Sequence, residues 1–153
     1  MNVSEVYSQG TVHIPASCNL QQASQQMLQQ HVGALVVTDG EMNGRIAGIV
    51  TDRDVVLKAV ALGASPNEVS VFDIMTAGVM TIDVNADLAD AMQVMSTHGV
   101  RRLAVTNEEG VVGILSIDDV IGALGREWSL LSSVIRSEQN CEKLGAVQSP
   151  LHL

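Results

Sequence analysis

Aromatic side chains are almost missing from this chain: Tyr7, Phe72 and Trp128 are the only three, although 46% of the residues are hydrophobic. A core must therefore be filled by Val, Ile, Leu, Ala and Met, which suits helices packed on β-branched strands. Cysteine is nearly as scarce. Cys18 and Cys141 stand far apart and form no disulfide framework, so a reducing, cytoplasmic location is expected. No apolar run approaches the roughly 18 residues that span a bilayer. The first residues, Met1-Asn2-Val3-Ser4-Glu5, have neither the basic start nor the apolar stretch of a signal peptide. No membrane partner is expected. Cations are few: eight Lys and Arg stand against seventeen Asp and Glu, a net charge of −9. That argues against nucleic acid as a partner, because sequence-independent binding needs clustered cations along a face. Gly-rich phosphate loops of the P-loop and Rossmann types are absent. His13, Cys18, His31, His98 and Cys141 lack the close spacing of a structural zinc site, so neither a metal nor a resident cofactor is expected.

What the chain does have is an internal repeat. A shift of 68 positions lays Val3 on Val71, Val6 on Ile74, Leu20 on Leu88, Ala23 on Ala91, Met27 on Met95, Val32 on Val100 and Leu35 on Leu103. Past a loop three residues longer in the first copy, at 40–45, the shift becomes 65 and lays Gly48 on Gly113, Ile49 on Ile114 and Asp54 on Asp119. Each copy reads as strand, helix, strand, strand, helix. Thr11 to Ile14 and Val79 to Val84 open the copies as short strands. One-sided helices follow from Leu20 and Leu88, with Asn19 and Asp87 placed to cap them. Apolar strands come next at 34–37, 103–105, 46–50 and 111–115, and second helices begin near Asp52 and Ile117. The expected fold is α+β, with two β-α-β-β-α repeats packed about a pseudo-twofold axis. The expected divisions are 1–66, 67–128 and a C-terminal helix extension with a mobile tail at 129–153, mobile from about Ser137.

Two motifs make the repeat specific. Gly48-Ile49-Val50-Thr51-Asp52-Arg53-Asp54 and Gly113-Ile114-Leu115-Ser116-Ile117-Asp118-Asp119 resemble the G-h-h-[ST]-x-x-[DN] signature that closes the last strand of a cystathionine-β-synthase (CBS) domain. Val100-Arg101-Arg102-Leu103 is similar to the family's basic V-[HR]-R-L segment, and Phe72-Asp73-Ile74-Met75-Thr76 to its opening segment. The resemblance covers about Val3 to Leu124 and is to a tandem CBS pair, or Bateman module, of the stand-alone bacterial type. It implies two clefts, each built from both repeats. One would combine Ile114, Ser116 and Asp119 with the strand and turn from His13 to Cys18, with Val32 and Gly33, and with Arg101 and Arg102 at its phosphate end. The other would combine Ile49, Thr51 and Asp54 with Thr81 to Ala86 and with Val100. Because Gly33-Ala34 occupies the second cleft's equivalent of the arginine pair, the Asp119 cleft is expected to be the better nucleotide site.

Thr51-x-x-Asp54 and Ser116-x-x-Asp119 equally fit a helix capping box, which needs no ligand. Asp is shorter than the usual Glu or Gln of that box and is expected to reach back poorly. A hydroxyl and a carboxylate at such a junction can instead serve a nucleotide, the carboxylate accepting from two ribose hydroxyls. Arg101 and Arg102 could likewise be paired with surface carboxylates.

The expected function is a regulatory module that reads an adenosyl small molecule, with AMP, ADP, ATP, S-adenosylmethionine and NAD as the ligand set, and passes its occupancy to an unidentified protein partner. The alternative is a homodimeric structural or stress-related protein whose clefts stay empty. An enzyme is not expected, because no nucleophile–base pair or metal centre emerges. A homodimer is expected, since two CBS pairs commonly form a disc. Ile121, Leu124, Trp128, Leu131 and Ile135 also recur at 3, 4, 3, 4 spacing, as on a helix–helix seam or a stripe covering the chain's own core.

Overall fold

A computed structural model of the chain describes residues 1–10, 12–39 and 45–145. Thr11, most of the longer loop and the end of the expected mobile tail lie outside the described residues. After a 3₁₀ turn at Val3–Glu5 come β1 (Ser8–Gln9), β2 (His13–Pro15), α1 (Leu20–Gln30), β3 (Ala34–Asp39), β4 (Arg45–Thr51) and α2 (Asp52–Lys58). The second copy supplies α3 (Val71–Ile74), β5 (Thr76–Ala77), β6 (Thr81–Asp83), α4 (Leu88–His98), β7 (Arg102–Asn107), β8 (Gly110–Ser116) and α5 (Ile117–Lys143). The α+β repeat architecture is as the sequence predicts, with each opening strand shorter than its apolar stretch.

The local reasons are those of the sequence. Asn19 Oδ1 accepts from the Gln22 amide at 2.9 Å while Gln22 reaches back to the Asn19 amide, so α1 starts in a closed box. Asp87 caps α4 through the Ala89 amide at 2.8 Å. Both helices end on a left-handed residue, His31 at φ 55° and Gly99 at φ 63°. That conformation is strain-free for Gly but not for His.

Two four-stranded sheets form, in the orders β2-β3-β4-β5 and β1-β8-β7-β6. In each, the opening strand runs parallel to the middle one, His13 beside Val36 and Thr81 beside Ala104, and the hairpin β3–β4 or β7–β8 is antiparallel. Each sheet packs its helices on one face. Leu20, Met27, Leu35, Val37 and Val50 build the first core, and Leu88, Met95, Leu103, Val105 and Leu115 the second. Val36 and Ala104 are fully buried yet belong to neither core. Alternation along the strand puts them on the opposite face, where the two units meet.

The sheets are completed by exchange. The edge strand β1 pairs antiparallel with β8, Ser8 beside Ile114, and β5 pairs with β4, Thr76 beside Ile49. Val3 is wholly buried in the second core, and its amide donates to the Ala86 carbonyl at 2.9 Å. Reciprocally, Val71 and Ile74 are buried in the first core, and the Val71 amide donates to the Cys18 carbonyl at 2.8 Å. The packing units therefore differ from the sequence copies: the opening segment of each copy completes the other. This crossing explains the glycine that heads each signature motif. A Cβ on Gly48 would lie 2.5 Å from the Thr76 carbonyl oxygen, and one on Gly113 would overlap Ser8 and the Tyr7 ring. Glycine stands there for close approach of another backbone.

The last helix is longer than expected, and its exposed stripe removes one of the two readings that the spacing left open. It runs on through Ser137 to Lys143, where fading periodicity suggested an end. Its core-facing residues are Val120 and Ala123, whereas the seam stripe Ile121, Leu124, Trp128, Leu131 and Ile135 is 40–69% exposed and covers no core of its own chain. Among the described residues no helix is long and apolar enough to cross a membrane.

Candidate functional site: two clefts between the units

Where the sheets meet, two clefts of about 280 Å³ and 310 Å³ open. The first is lined by Ile114, Ser116 and Asp119 of the second signature motif together with Val32, Gly33 and Arg102. The second is lined by Ile49 and Thr51 of the first motif together with Val100, Arg101 and Arg102. These are the Asp119 cleft and the Thr51 cleft.

The junctions at their floors are true capping boxes. Asp54 Oδ2 accepts from the Thr51 amide at 3.0 Å, and Thr51 Oγ1 accepts from the Asp54 amide at 3.1 Å. Asp119 Oδ2 accepts from the Ser116 amide at 2.9 Å and from the Ser116 hydroxyl at 2.8 Å. The expectation that Asp reaches back poorly is corrected. Thr51 and Ser116 are extended, at ψ 160° and 159°, which folds their amides over the first helical turn within reach of the shorter carboxylate.

The two boxes leave different remainders. Asp54 Oδ1 lies 3.3 Å from Lys58 Nζ, which also donates to the Ile74 carbonyl at 3.0 Å. Both oxygens of Asp54 are engaged, and Asp54 is not among the residues lining a cleft. The repeat places Ala123 where Lys58 stands, and among the described residues no cation pairs with Asp119. Among the described residues its half-buried Oδ1 has no partner, and Asp119 lines its cleft.

Of the arginines, Arg102 lines both clefts, but Arg101 lines the Thr51 cleft rather than the Asp119 cleft. This corrects the sequence-based arrangement, and the reason is the strand crossing. Val100 and Arg101 precede β7 on the side facing Thr51, while Arg102 is paired with Ser116 across the hairpin. The equivalent Gly33 and Ala34 line the Asp119 cleft. Arg101 lies 3.9 Å from Asp118 with both side chains largely exposed, a weak pairing in water.

His13, Cys18, Thr81 and Ala86 line neither cleft. His13 and Thr81 are exposed on the opening strands, while Cys18 and Ala86 pack against their own units' cores. The walls expected from those segments come instead from residues just before them: Ser8 to Gly10 in the Asp119 cleft and Thr76 to Met80 in the Thr51 cleft. These carry no chemical signature; the crossing onto the other sheet brings their backbone along the cleft. His31, also missed, joins the Asp119 cleft from the end of α1. Among the described residues, no group of three or more His, Cys, Asp and Glu could hold a metal ion.

A family model for the CBS domain matches residues 3–60 and 71–126. Hypoxic response protein 1 of Mycobacterium tuberculosis is 30% identical over 116 residues, 76% of this chain and 80% of that protein. Among solved structures, an uncharacterized conserved protein from Pyrococcus horikoshii is 25% identical, with a TM-score of 0.68 over 80% of this chain and 90% of that one. A CBS domain pair crystallised with 5′-methylthioadenosine and S-adenosyl-L-methionine, 22% identical, shares the fold at a TM-score of 0.69 over 83% of this chain and 98% of that one.

Proposed function

This chain belongs to the CBS-domain family, and on that footing we propose that it is a regulatory module that binds an adenine nucleotide or a related adenosyl compound between its two units. The observation that carries this reading is the free oxygen of Asp119. A half-buried carboxylate oxygen without a donor is costly, and a pair of ribose hydroxyls would supply the missing hydrogen bonds. Ile114 and Val32 offer apolar contact to a base, and Arg102 offers a cation to a phosphate or carboxylate. The module acts by binding, and its occupancy is passed to a protein partner or through assembly.

The test is thermal melting with AMP, ADP, ATP, S-adenosylmethionine and NAD. A ligand at 100 times its dissociation constant stabilises the fold by about 2.7 kcal/mol, which melting resolves clearly. No shift with any of them at millimolar concentration would end the adenosyl reading and leave the fold untouched.

A second reading rests on a different observation, the exposed apolar stripe of α5. It is a homodimeric structural or stress-related protein that works through protein contacts with empty clefts. The dimer is common to both readings; ligand-dependent melting belongs to the first alone.

A further inference from the structure

Among the described residues Arg102 is the one that lines both clefts. Its neighbour Leu103 is buried in the helix-side core of the second unit, so strand alternation turns Arg102 to the opposite face, between the sheets, with Ile114 and Ser116. The side chain is half-buried, and among the described residues it makes no ion pair and donates no side-chain hydrogen bond. A guanidinium held off from water without a partner is a strong attractor for an anion. The surroundings sharpen this. Among the described residues the Asp119 cleft has two carboxylates, Asp118 and Asp119, and no arginine other than Arg102. The Thr51 cleft has Arg101 and Arg102 and, among the described residues, no carboxylate. In a chain of net charge −9, the Asp119 cleft depends on Arg102 to accept a phosphate, while the Thr51 cleft can draw on Arg102 with Arg101 beside it.

We propose that the two clefts share one guanidinium, Arg102, so that a phosphate-bearing ligand in either cleft weakens the binding of a phosphate-bearing ligand in the other. This rests on the adenosyl reading above and specifies how its two sites are coupled. The first ligand to arrive recruits Arg102. The second finds that cation engaged and meets the first ligand's negative charge across the same side chain. An uncharged nucleoside makes no demand on Arg102 and is not penalised. The coupling is therefore specific to the charge of the ligand.

Calorimetric titration of the full chain with AMP and with adenosine tests this. Ile114→Trp fills the Asp119 cleft and Ile49→Trp fills the Thr51 cleft, so each variant presents one cleft with Arg102 free. If Arg102 is shared, both single-cleft variants bind AMP more tightly than wild type binds its second AMP, by about tenfold or more, the scale of a lost charge-assisted bond. Adenosine should give wild type the same two constants that the single-cleft variants show. In an Arg102→Gln background the part of the AMP penalty that comes from sharing the cation should vanish, leaving only a smaller, salt-screened repulsion between the ligands. Wild-type AMP constants equal to the two single-cleft constants would overturn the sharing and leave the adenosyl reading standing. Failure of wild type to bind AMP would overturn the sharing, and failure to bind any of the five adenosyl compounds would overturn the adenosyl reading as well. Should one tryptophan variant not fold, the other still gives the comparison for its remaining cleft.

Discussion

Replacing Asp119 by Asn separates the two roles that one carboxylate holds in this structure. Asn keeps an oxygen to accept from the Ser116 amide, so the box that starts α5 persists, but the free acceptor in the cleft becomes a donor. Asp119→Asn should therefore melt close to wild type without ligand. It should bind the adenosyl compound about 10- to 150-fold more weakly, the equivalent of about 1.5–3 kcal/mol. If Asp119 only capped the helix, ligand affinity would be unchanged, and titration of both proteins decides the matter. At this scale the carboxylates were found from the sequence and their difference was missed. Asp54 and Asp119 occupy the same motif position, and what separates them is one turn further on, where Lys58 stands in one copy and Ala123 in the other. That contrast was available from the spacing, since positions i and i+4 face each other on a helix. The division of the arginines was not, because it depends on which side of β7 each cleft opens.

Helix α5 extends well past the residues its own unit needs, and its exposed stripe is the element-scale signal for self-association. Trp128 sits in the middle of that stripe and is the only tryptophan in the chain. Its fluorescence should shift to the red as the protein is diluted through the dimer dissociation range. Trp128→Glu should place a charge in the proposed seam and yield a monomer by light scattering at tens of micromolar, where wild type should be a dimer. A wild-type monomer at that concentration would remove the dimer. The stripe was legible because a 3, 4 spacing needs no tertiary information. The short strands β1 and β5 were not legible as strands. Two-residue segments carry no period, and they are extended only because an edge of the other unit's sheet is there to pair with.

At the scale of the whole molecule the exchange of opening segments binds the two copies into one cooperative object. A chain of residues 1–66 lacks the segment at 71–77 that covers its first core, and a chain of 67–145 lacks Val3, which is wholly buried in the second. Burial of a Val side chain contributes about 1.5–3 kcal/mol, a large share of what a half-molecule this small could muster. Each fragment alone should be largely unfolded by circular dichroism, the intact chain should unfold in one transition, and mixing the fragments should restore structure. Two independent melting transitions in the intact chain would contradict this. The repeat itself was plain in the sequence; its interlocking was not, because similarity between copies says nothing about which copy a segment packs against.

The crossing also sets the timetable on which the protein can be made. Ser8 must pair beside Ile114, on the order of a hundred positions later in the chain. A nascent chain leaving the ribosome therefore exposes Val3 and the edge of β1 until nearly all of the second copy has emerged. The first unit must likewise wait for the segment at 71–77 to close its sheet. The first unit can close once residue 77 has emerged, whereas the second must join residues from the two ends of the repeat and closes last. During that interval the unpaired edge of β8 is open to the opening segment of a second chain, since the same two residues would fit. Exchange between chains is thus the error that synthesis at high concentration most readily invites.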